Sequence, residues 1–123
     1  MPRFVVLIHD WPELHWDFML EEGDFLRTWR LLKEPVADSM ISAEQVNPHR
    51  LFYLDYEGPV SQGRGNVTRW DHGVYHSCRS SGETLTIRIE GQKLKGFVIQ
   101  SGNSAKCTFY FSGGELTASE MLP

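Results

Sequence analysis

The feature that most constrains the fold is a two-residue alternation of polar and apolar side chains that recurs along the chain. It is strictest in the run Thr84-Leu85-Thr86-Ile87-Arg88-Ile89-Glu90. Because successive side chains of a strand point to opposite faces of a sheet, this alternation predicts a strand with one buried face and one solvated face.

Less strict stretches of the same kind, each bounded by turn-forming residues, predict further strands. The predicted strands cover residues 4–9, 15–21, 24–31, 50–57, 66–70, 73–78, 84–90, 93–100 and 105–111. Short strands at nearly regular spacing predict an all-β fold, a small antiparallel β-barrel of about eight strands. The best helix start is Ser42-Ala43-Glu44-Gln45, where a capping box favours one short helix near residues 42–46.

Length and composition set limits on the architecture. A chain of 123 residues predicts a single domain, residues 1–123, with the tail after Gly114 lying against the barrel. Cys78 and Cys107 lie within apolar stretches, which favours buried thiols over a disulfide, although the sequence leaves their separation open.

Charge and hydropathy exclude some classes of function. The net charge of −4 argues against a broadly basic nucleic-acid-binding surface, so any nucleic-acid contact must be local. The sequence has neither an apolar run long enough for a membrane span nor a recognisable secretory signal. We therefore expect no membrane association and a cytoplasmic protein.

His9, His15 and Asp17 form a candidate metal site near the start of the chain. In a strand, side chains at i and i+2 share a face, so His15 and Asp17 project together while Trp16 packs on the other side. A short turn can bring His9 alongside them. Two imidazoles and one carboxylate suit a divalent first-row cation.

A second candidate pair is His49 and Tyr53, which are four residues apart and would share a face if both lay in a strand. An imidazole can transfer a proton near neutral pH, and a tyrosine hydroxyl can donate to a phosphate oxygen. The pair therefore suits a leaving-group site. The structural alternative is that His49 ends a strand and Tyr53 packs in the core.

These residues occur in the order, and near the spacing, of a known family. From about Phe4 to Ile99 the chain resembles the 3′-phosphoesterase domain of bacterial ligase D. The resemblance rests on His9, Leu14-His15-x-Asp17-Phe18-x-Leu20-Glu21, Trp29, Lys33, His49, Tyr53, Tyr56-Glu57-Gly58, Gly65-x-Val67-x-x-Trp70-Asp71-x-Gly73 and Gly91-x-Lys93-Leu94-x-Gly96.

The resemblance implies a small β-barrel that uses a divalent metal to remove a terminal ribonucleoside and a 3′-phosphate from DNA ends during strand-break repair. It implies Mn²⁺ as the cofactor, with Zn²⁺, Co²⁺ or Ni²⁺ as alternatives. DNA or RNA/DNA 3′ ends are the implied substrate, and a separate ligase or polymerase is a candidate partner. The resemblance implies that His9, His15 and Asp17 bind the metal and that His49 and Tyr53 act in catalysis. To these we add Lys33 as a catalytic residue, and Arg50 and Arg64 as substrate-binding residues.

The chain departs from the family pattern at two positions near these residues. Met19 stands where the family commonly has arginine, and Asn47 stands where it commonly has an acidic residue. A methionine cannot hold a phosphate as a guanidinium does, and one lost charge-assisted hydrogen bond costs about 1.5 to 3 kcal/mol. We expect a stand-alone, partly divergent domain in which metal binding survives better than phosphatase activity, with Arg50 or Arg64 as possible replacements for the missing charge.

Two other functions stay open. A non-catalytic module could keep the pocket to dock DNA ends or a partner protein, and turnover of a 3′-ribonucleotide primer separates it from an enzyme. His15-x-Asp17 with a distant His49 also fits the facial triad of a non-haem iron oxygenase, although only one predicted strand precedes His15. Oxygen consumption with Fe(II) and 2-oxoglutarate would identify that enzyme.

Overall fold

The computed structural model describes residues 1–102 and 105–113, so the expected placement of the tail after Gly114 lies outside the described residues. In the described part no helix has the length and apolar character that a membrane crossing needs. In chain order the elements are β1 (Arg3–His9), β2 (His15–Glu22), β3 (Phe25–Leu31), β4 (Ser39–Arg50), a 3₁₀ helix (Leu51–Leu54), β5 (Gly58–Pro59), β6 (Asn66–Ser81), β7 (Thr84–Gly91), β8 (Lys95–Ser101) and β9 (Lys106–Ser112).

Eight of these strands close into a ring. The strand order is β1-β2-β3-β4-β9-β8-β7-β6, and β6 pairs back onto β1, while β5 lies beside the start of β6. All of these pairings are antiparallel. The predicted all-β fold of about eight antiparallel strands is therefore confirmed.

The two faces of the ring carry separate apolar clusters. The interior cluster receives side chains from all eight ring strands, and Trp29 and Phe18 are fully buried within it. A smaller outer cluster covers β1 and β2 with Val5, Leu7 and Met19. The 3₁₀ helix and the loop after it pack on this outer cluster. This segment forms the wall of a cavity on the outside of the ring.

The motif Trp70-Asp71-x-Gly73 holds the connection between β7 and β8. Asp71 is 1% exposed, and its carboxylate accepts backbone hydrogen bonds from residues 72, 92, 93 and 94 at 2.7 to 3.1 Å. A Cβ at Gly73 would lie 1.9 Å from the carbonyl oxygen of Glu90, so only glycine permits this crossing of the strands. These motif positions serve the fold.

The short helix predicted near residues 42–46 is wrong, because this segment is the middle of β4. Ala43 pairs with Leu31 of β3 and with Cys107 of β9. Ile41 and Ala43 are buried while Ser42 is exposed, which is the two-residue period of a strand. Backbone hydrogen bonding to strands on both sides outweighs the local capping signal.

Two predicted strand boundaries are also wrong. The segment 50–57 is not a strand, since β4 ends at Arg50 and the chain continues as the 3₁₀ helix and a loop. The predicted strands 66–70 and 73–78 are one continuous strand, β6. The Asp71-His72-Gly73 signal marks a shift in the register between β1 and β6 instead of a turn.

The two cysteines differ in burial, and both are free thiols. Cys107 is buried as expected, and burial raises the pKa of its thiol. The expectation is wrong for Cys78, which is exposed. Cys78 lies at a register shift between Ser77 and Arg79, where the pairing of β6 with β7 skips one residue and turns its side chain away from the core.

Candidate functional site

His9, His15 and Asp17 converge at one end of the β1–β2 pair. His9 is the last residue of β1 and lies opposite His15, the first residue of β2. Asp17 follows two residues later on the same face of β2. The ligand atoms of the three side chains all lie within 4.8 Å of one another. The strand parity that the sequence predicted thus brings the three groups together.

Backbone carbonyls fix the orientation of both imidazoles. His9 Nε2–H donates to the carbonyl oxygen of Arg64 at 2.8 Å, so its Nδ1 faces Asp17 at 3.5 Å. His15 Nδ1–H donates to the carbonyl oxygen of Glu13 at 2.9 Å, so its Nε2 faces Asp17 at 3.2 Å. In the neutral form of each ring, the nitrogen that faces Asp17 carries a lone pair, which is the arrangement that metal-binding histidines use. In the protonated form the same nitrogen donates a hydrogen bond to the carboxylate.

The charge at the centre of the site is held on Asp17, which is 3% exposed. Burial alone would raise the pKa of this carboxyl group, but hydrogen bonds from His15 and His9 outweigh burial and lower the pKa to about 2. The same hydrogen bond to Asp17 raises the pKa of His9. The carboxylate is therefore ionised at neutral pH and attracts a cation.

Gly65 allows the loop before β6 to close over His9. Its φ of +76° lies in the region that favours glycine, and a Cβ there would lie 2.3 Å from Asp10 Oδ1. The same Asp10 oxygen accepts the backbone N–H of Asn66 at 2.7 Å. These contacts hold the carbonyl of Arg64 against His9, so the loop helps to orient a candidate ligand.

The three groups lie beside a cavity of about 400 Å³ on the outer face of the ring, and His9 and Asp17 line it. His49 and Tyr53 also line this cavity, with ring centroids 5.6 Å apart in a T-shaped contact. His49 Nδ1–H donates to the carbonyl oxygen of Asn47 at 3.0 Å, so this hydrogen bond does not engage the other ring nitrogen, Nε2. The predicted pair does meet, although Tyr53 lies in the 3₁₀ helix and not in a strand.

The predicted cations differ in where they lie. Arg50 and Arg64 line the cavity, but the guanidinium of Arg50 stacks over Phe52 at 4.7 Å, and that of Arg64 donates to the Ser61 carbonyl at 2.9 Å. Lys33 is exposed in the connection between β3 and β4 and is not among the described residues that line the cavity. The structure therefore does not bring Lys33 to the other candidate residues.

Trp11, Met19 and Arg30 are cavity residues to which the sequence assigned no role in the site. Trp11 lies in the wall and is 43% exposed, Met19 is buried in the floor, and Arg30 projects from β3. Arg30 lies directly opposite Asp17 in the pairing of β2 with β3. The turn at residues 23–24 could have predicted this neighbour, because a hairpin folded there aligns positions 17 and 30.

Comparison with known proteins identifies the family to which the chain belongs. The sequence model of one protein family, the DNA ligase D 3′-phosphoesterase domain, matches residues 8–100. The multifunctional non-homologous end joining protein LigD of Pseudomonas aeruginosa is 36% identical over 104 residues, which cover 76% of this chain and 12% of that protein. LigD of Mycobacterium bovis is 28% identical over 103 residues, which cover 76% of this chain and 13% of that protein. This chain thus corresponds to a small part of these relatives, and it belongs to the DNA ligase D 3′-phosphoesterase domain family.

Proposed function

We propose that this chain is a metal-dependent phosphoesterase that processes 3′ ends of DNA, or of RNA joined to DNA, in non-homologous end joining. The single observation that carries the proposal is the convergence of His9, His15 and Asp17 beside a cavity that His49 and Tyr53 also line. Family membership supports the same class of substrate. The cytoplasmic location and a partner ligase or polymerase stay predictions.

The donor set fits a divalent cation. Its members are two imidazole nitrogens and one carboxylate oxygen, within 4.8 Å of one another, and the second nitrogen of each ring is held by a backbone carbonyl. Three protein ligands leave further coordination positions for water and substrate. We propose Mn²⁺ as the cation, with Zn²⁺, Co²⁺ and Ni²⁺ as alternatives for the same ligands.

The reaction we propose is hydrolysis of a phosphoester at the 3′ end. Water adds to phosphorus and one phosphorus–oxygen bond breaks: the bond to the 5′ oxygen of a terminal ribonucleoside, or the bond to the 3′ oxygen of an end that carries a 3′-phosphate. The oxygen that leaves takes a proton to become a hydroxyl group. A cation held by His9, His15 and Asp17 would supply positive charge that acidifies water and neutralises a phosphate oxygen. His49 Nε2, in its protonated form, is the proposed proton donor to the leaving oxygen, and the Tyr53 hydroxyl is the proposed donor to a phosphate oxygen.

The floor of the cavity lacks a charge at position 19, and this affects how much phosphatase activity we expect. Met19 lies two residues after Asp17 and contributes no charge, and it packs with the apolar residues of the outer cluster. This observation favours the second candidate function, a non-catalytic module that docks DNA ends or a partner protein. His49, the third ligand that the iron-oxygenase alternative requires, is not among the described residues whose ligand atoms cluster with those of His15 and Asp17.

Turnover of defined oligonucleotides tests the proposal. Duplexes that end in a single 3′-ribonucleotide or in a 3′-phosphate are incubated with the protein and Mn²⁺, and the products are resolved by gel electrophoresis. We expect release of the nucleoside or phosphate, and a loss of about a hundredfold or more in His49→Ala, because general acid catalysis contributes about that much.

His76→Ala is the matched control, since His76 bonds to Glu90 at 2.9 Å and is not among the described residues that line the cavity. This variant should retain the wild-type rate. Mn²⁺-dependent turnover that is equal in the wild type and His49→Ala would contradict the assigned role of His49. No turnover of either substrate, with binding of the DNA end retained, would favour the docking module.

A further inference from the structure

Arg30 is the least satisfied charged side chain near the candidate site. Its Nε atom is buried and has no hydrogen-bond partner among the described residues. None of the ion pairs found in the described part of the chain includes Arg30. Buried polar atoms without a partner are rare in folded proteins, and a missing ligand is one explanation for them.

The register of the sheet places an acidic residue on each side of Arg30. Its cross-strand neighbour on β2 is Asp17, which is already held by two imidazoles, and its neighbour on β4 is Glu44. Directly opposite residues have Cβ atoms about 5 Å apart, within easy reach of an ion pair. Arg30 nevertheless pairs with neither acid and instead lines the cavity.

The cavity therefore has an excess of positive charge. Asp17 is its one carboxylate among the described lining residues, whereas Arg30, Arg50 and Arg64 all line it. Arg50 and Arg64 are engaged with Phe52 and Ser61. Arg30 is thus the lining guanidinium with no side-chain or backbone partner among the described residues, and its planar fork suits the paired oxygens of a phosphate.

We propose that Arg30 forms an anion subsite beside the metal ligands and binds the non-bridging oxygens of a terminal 3′-phosphate. This subsite rests on the proposed phosphoesterase function, because it names the group that holds the substrate phosphate. Met19 and Thr28 pair next to Asp17 and Arg30 along β2 and β3, so a guanidinium at position 19 or at position 30 would reach the same end of the cavity. The charge that Met19 does not supply on β2 is supplied from β3.

Arg30→Met tests the subsite with little change in side-chain length. Replacing an unpartnered buried polar group by an apolar one should not lower the free energy of unfolding. We expect kcat/KM for an oligonucleotide with a 3′-phosphate to fall about ten- to a hundredfold, the effect of one charge-assisted hydrogen bond. Mn²⁺ affinity, measured by calorimetry, should stay within about twofold, because the ligands are untouched.

Two further variants make the test specific. Arg27→Met is the matched control on the same strand, because Arg27 stacks over Trp29 and is not among the described residues lining this cavity. It should behave as the wild type. The double variant Met19→Arg with Arg30→Met moves the guanidinium from β3 to β2 and should recover most of the activity lost in Arg30→Met.

A binding measurement separates failure of the subsite from failure of the proposed function. Fluorescence anisotropy compares an oligonucleotide ending in a 3′-methylenephosphonate, which is not hydrolysed, with one ending in a 3′-hydroxyl, both with Mn²⁺. The wild type should prefer the phosphonate about tenfold or more, and Arg30→Met should lose this preference. A wild type that shows the preference without turnover would retain the subsite and reject the phosphoesterase.

Three results would overturn the subsite. The first is that the wild type and Arg30→Met prefer the phosphonate over the 3′-hydroxyl equally, or that the wild type shows no such preference. The second is a lower free energy of unfolding in Arg30→Met together with weaker Mn²⁺ binding, which would make Arg30 a structural residue. The third is a double variant with normal Mn²⁺ affinity that recovers no activity.

Discussion

Replacing Asp71 by asparagine should destabilise the protein strongly although the site stays intact. Oδ1 accepts the N–H groups of residues 72, 92 and 93, while Oδ2 accepts that of Leu94 at 2.8 Å. An asparagine that keeps the first three hydrogen bonds turns its NH₂ group toward the Leu94 N–H. Leaving one buried donor unsatisfied costs about 1 to 3 kcal/mol, and three hydrogen bonds to a charged acceptor become weaker neutral ones.

Together these losses give about 3 kcal/mol, a large part of the stability of a domain of this size. Urea unfolding followed by tryptophan fluorescence measures the change, and amide hydrogen exchange at residues 92, 93 and 94 should accelerate by a larger factor than exchange elsewhere. Asp24→Asn, in an exposed turn, is the control and should leave the unfolding midpoint unchanged. A loss below about 1 kcal/mol in Asp71→Asn, with unchanged exchange at these three amides, would refute the reasoning.

Further predictions concern the loop over the site and the two thiols. Gly65→Ala forces a Cβ against Asp10 and shifts the carbonyl that orients His9, so calorimetry should record several-fold weaker Mn²⁺ binding. Gly63→Ala is the control, since its φ is also positive but its Cβ would meet no atom within 4 Å, and equal weakening in both variants would contradict this role. Iodoacetamide at pH 8 should alkylate Cys78 in the native protein, whereas Cys107, whose thiol is buried and has a raised pKa, should react only after unfolding. Rapid alkylation of both thiols in the native protein would contradict this prediction.

The candidate metal site was predictable because it depends on local geometry. Side chains two residues apart in a strand must share a face, which fixed His15 and Asp17 relative to each other. A short connection then aligned His9 with His15. The interior and exterior faces of β2 also follow from the same parity, since Phe18 is in the interior cluster and Met19 is in the outer one.

What the sequence did not predict depends on partners distant in the chain. Ser42 offers a helix cap, but pairing with β9, more than sixty residues later, makes this segment a strand. Tyr53 meets His49 through a 3₁₀ helix that packs on the outer cluster, and no periodic pattern marks that helix. The sequence predicted a turn at Asp71 and not its role in holding the connection between β7 and β8, because three of its hydrogen-bond donors lie about twenty residues away in the chain.

Titration with Mn²⁺ is the most direct test of the site. Calorimetry on the wild type should give one bound ion per chain, and binding should be lost in both His9→Ala and Asp17→Ala, with circular dichroism used to verify that the variants are folded. His76→Ala, a histidine on β6 outside the cavity, should bind like the wild type. Unchanged Mn²⁺ binding in folded His9→Ala and Asp17→Ala would contradict the proposed metal site and the hydrolytic function that depends on it.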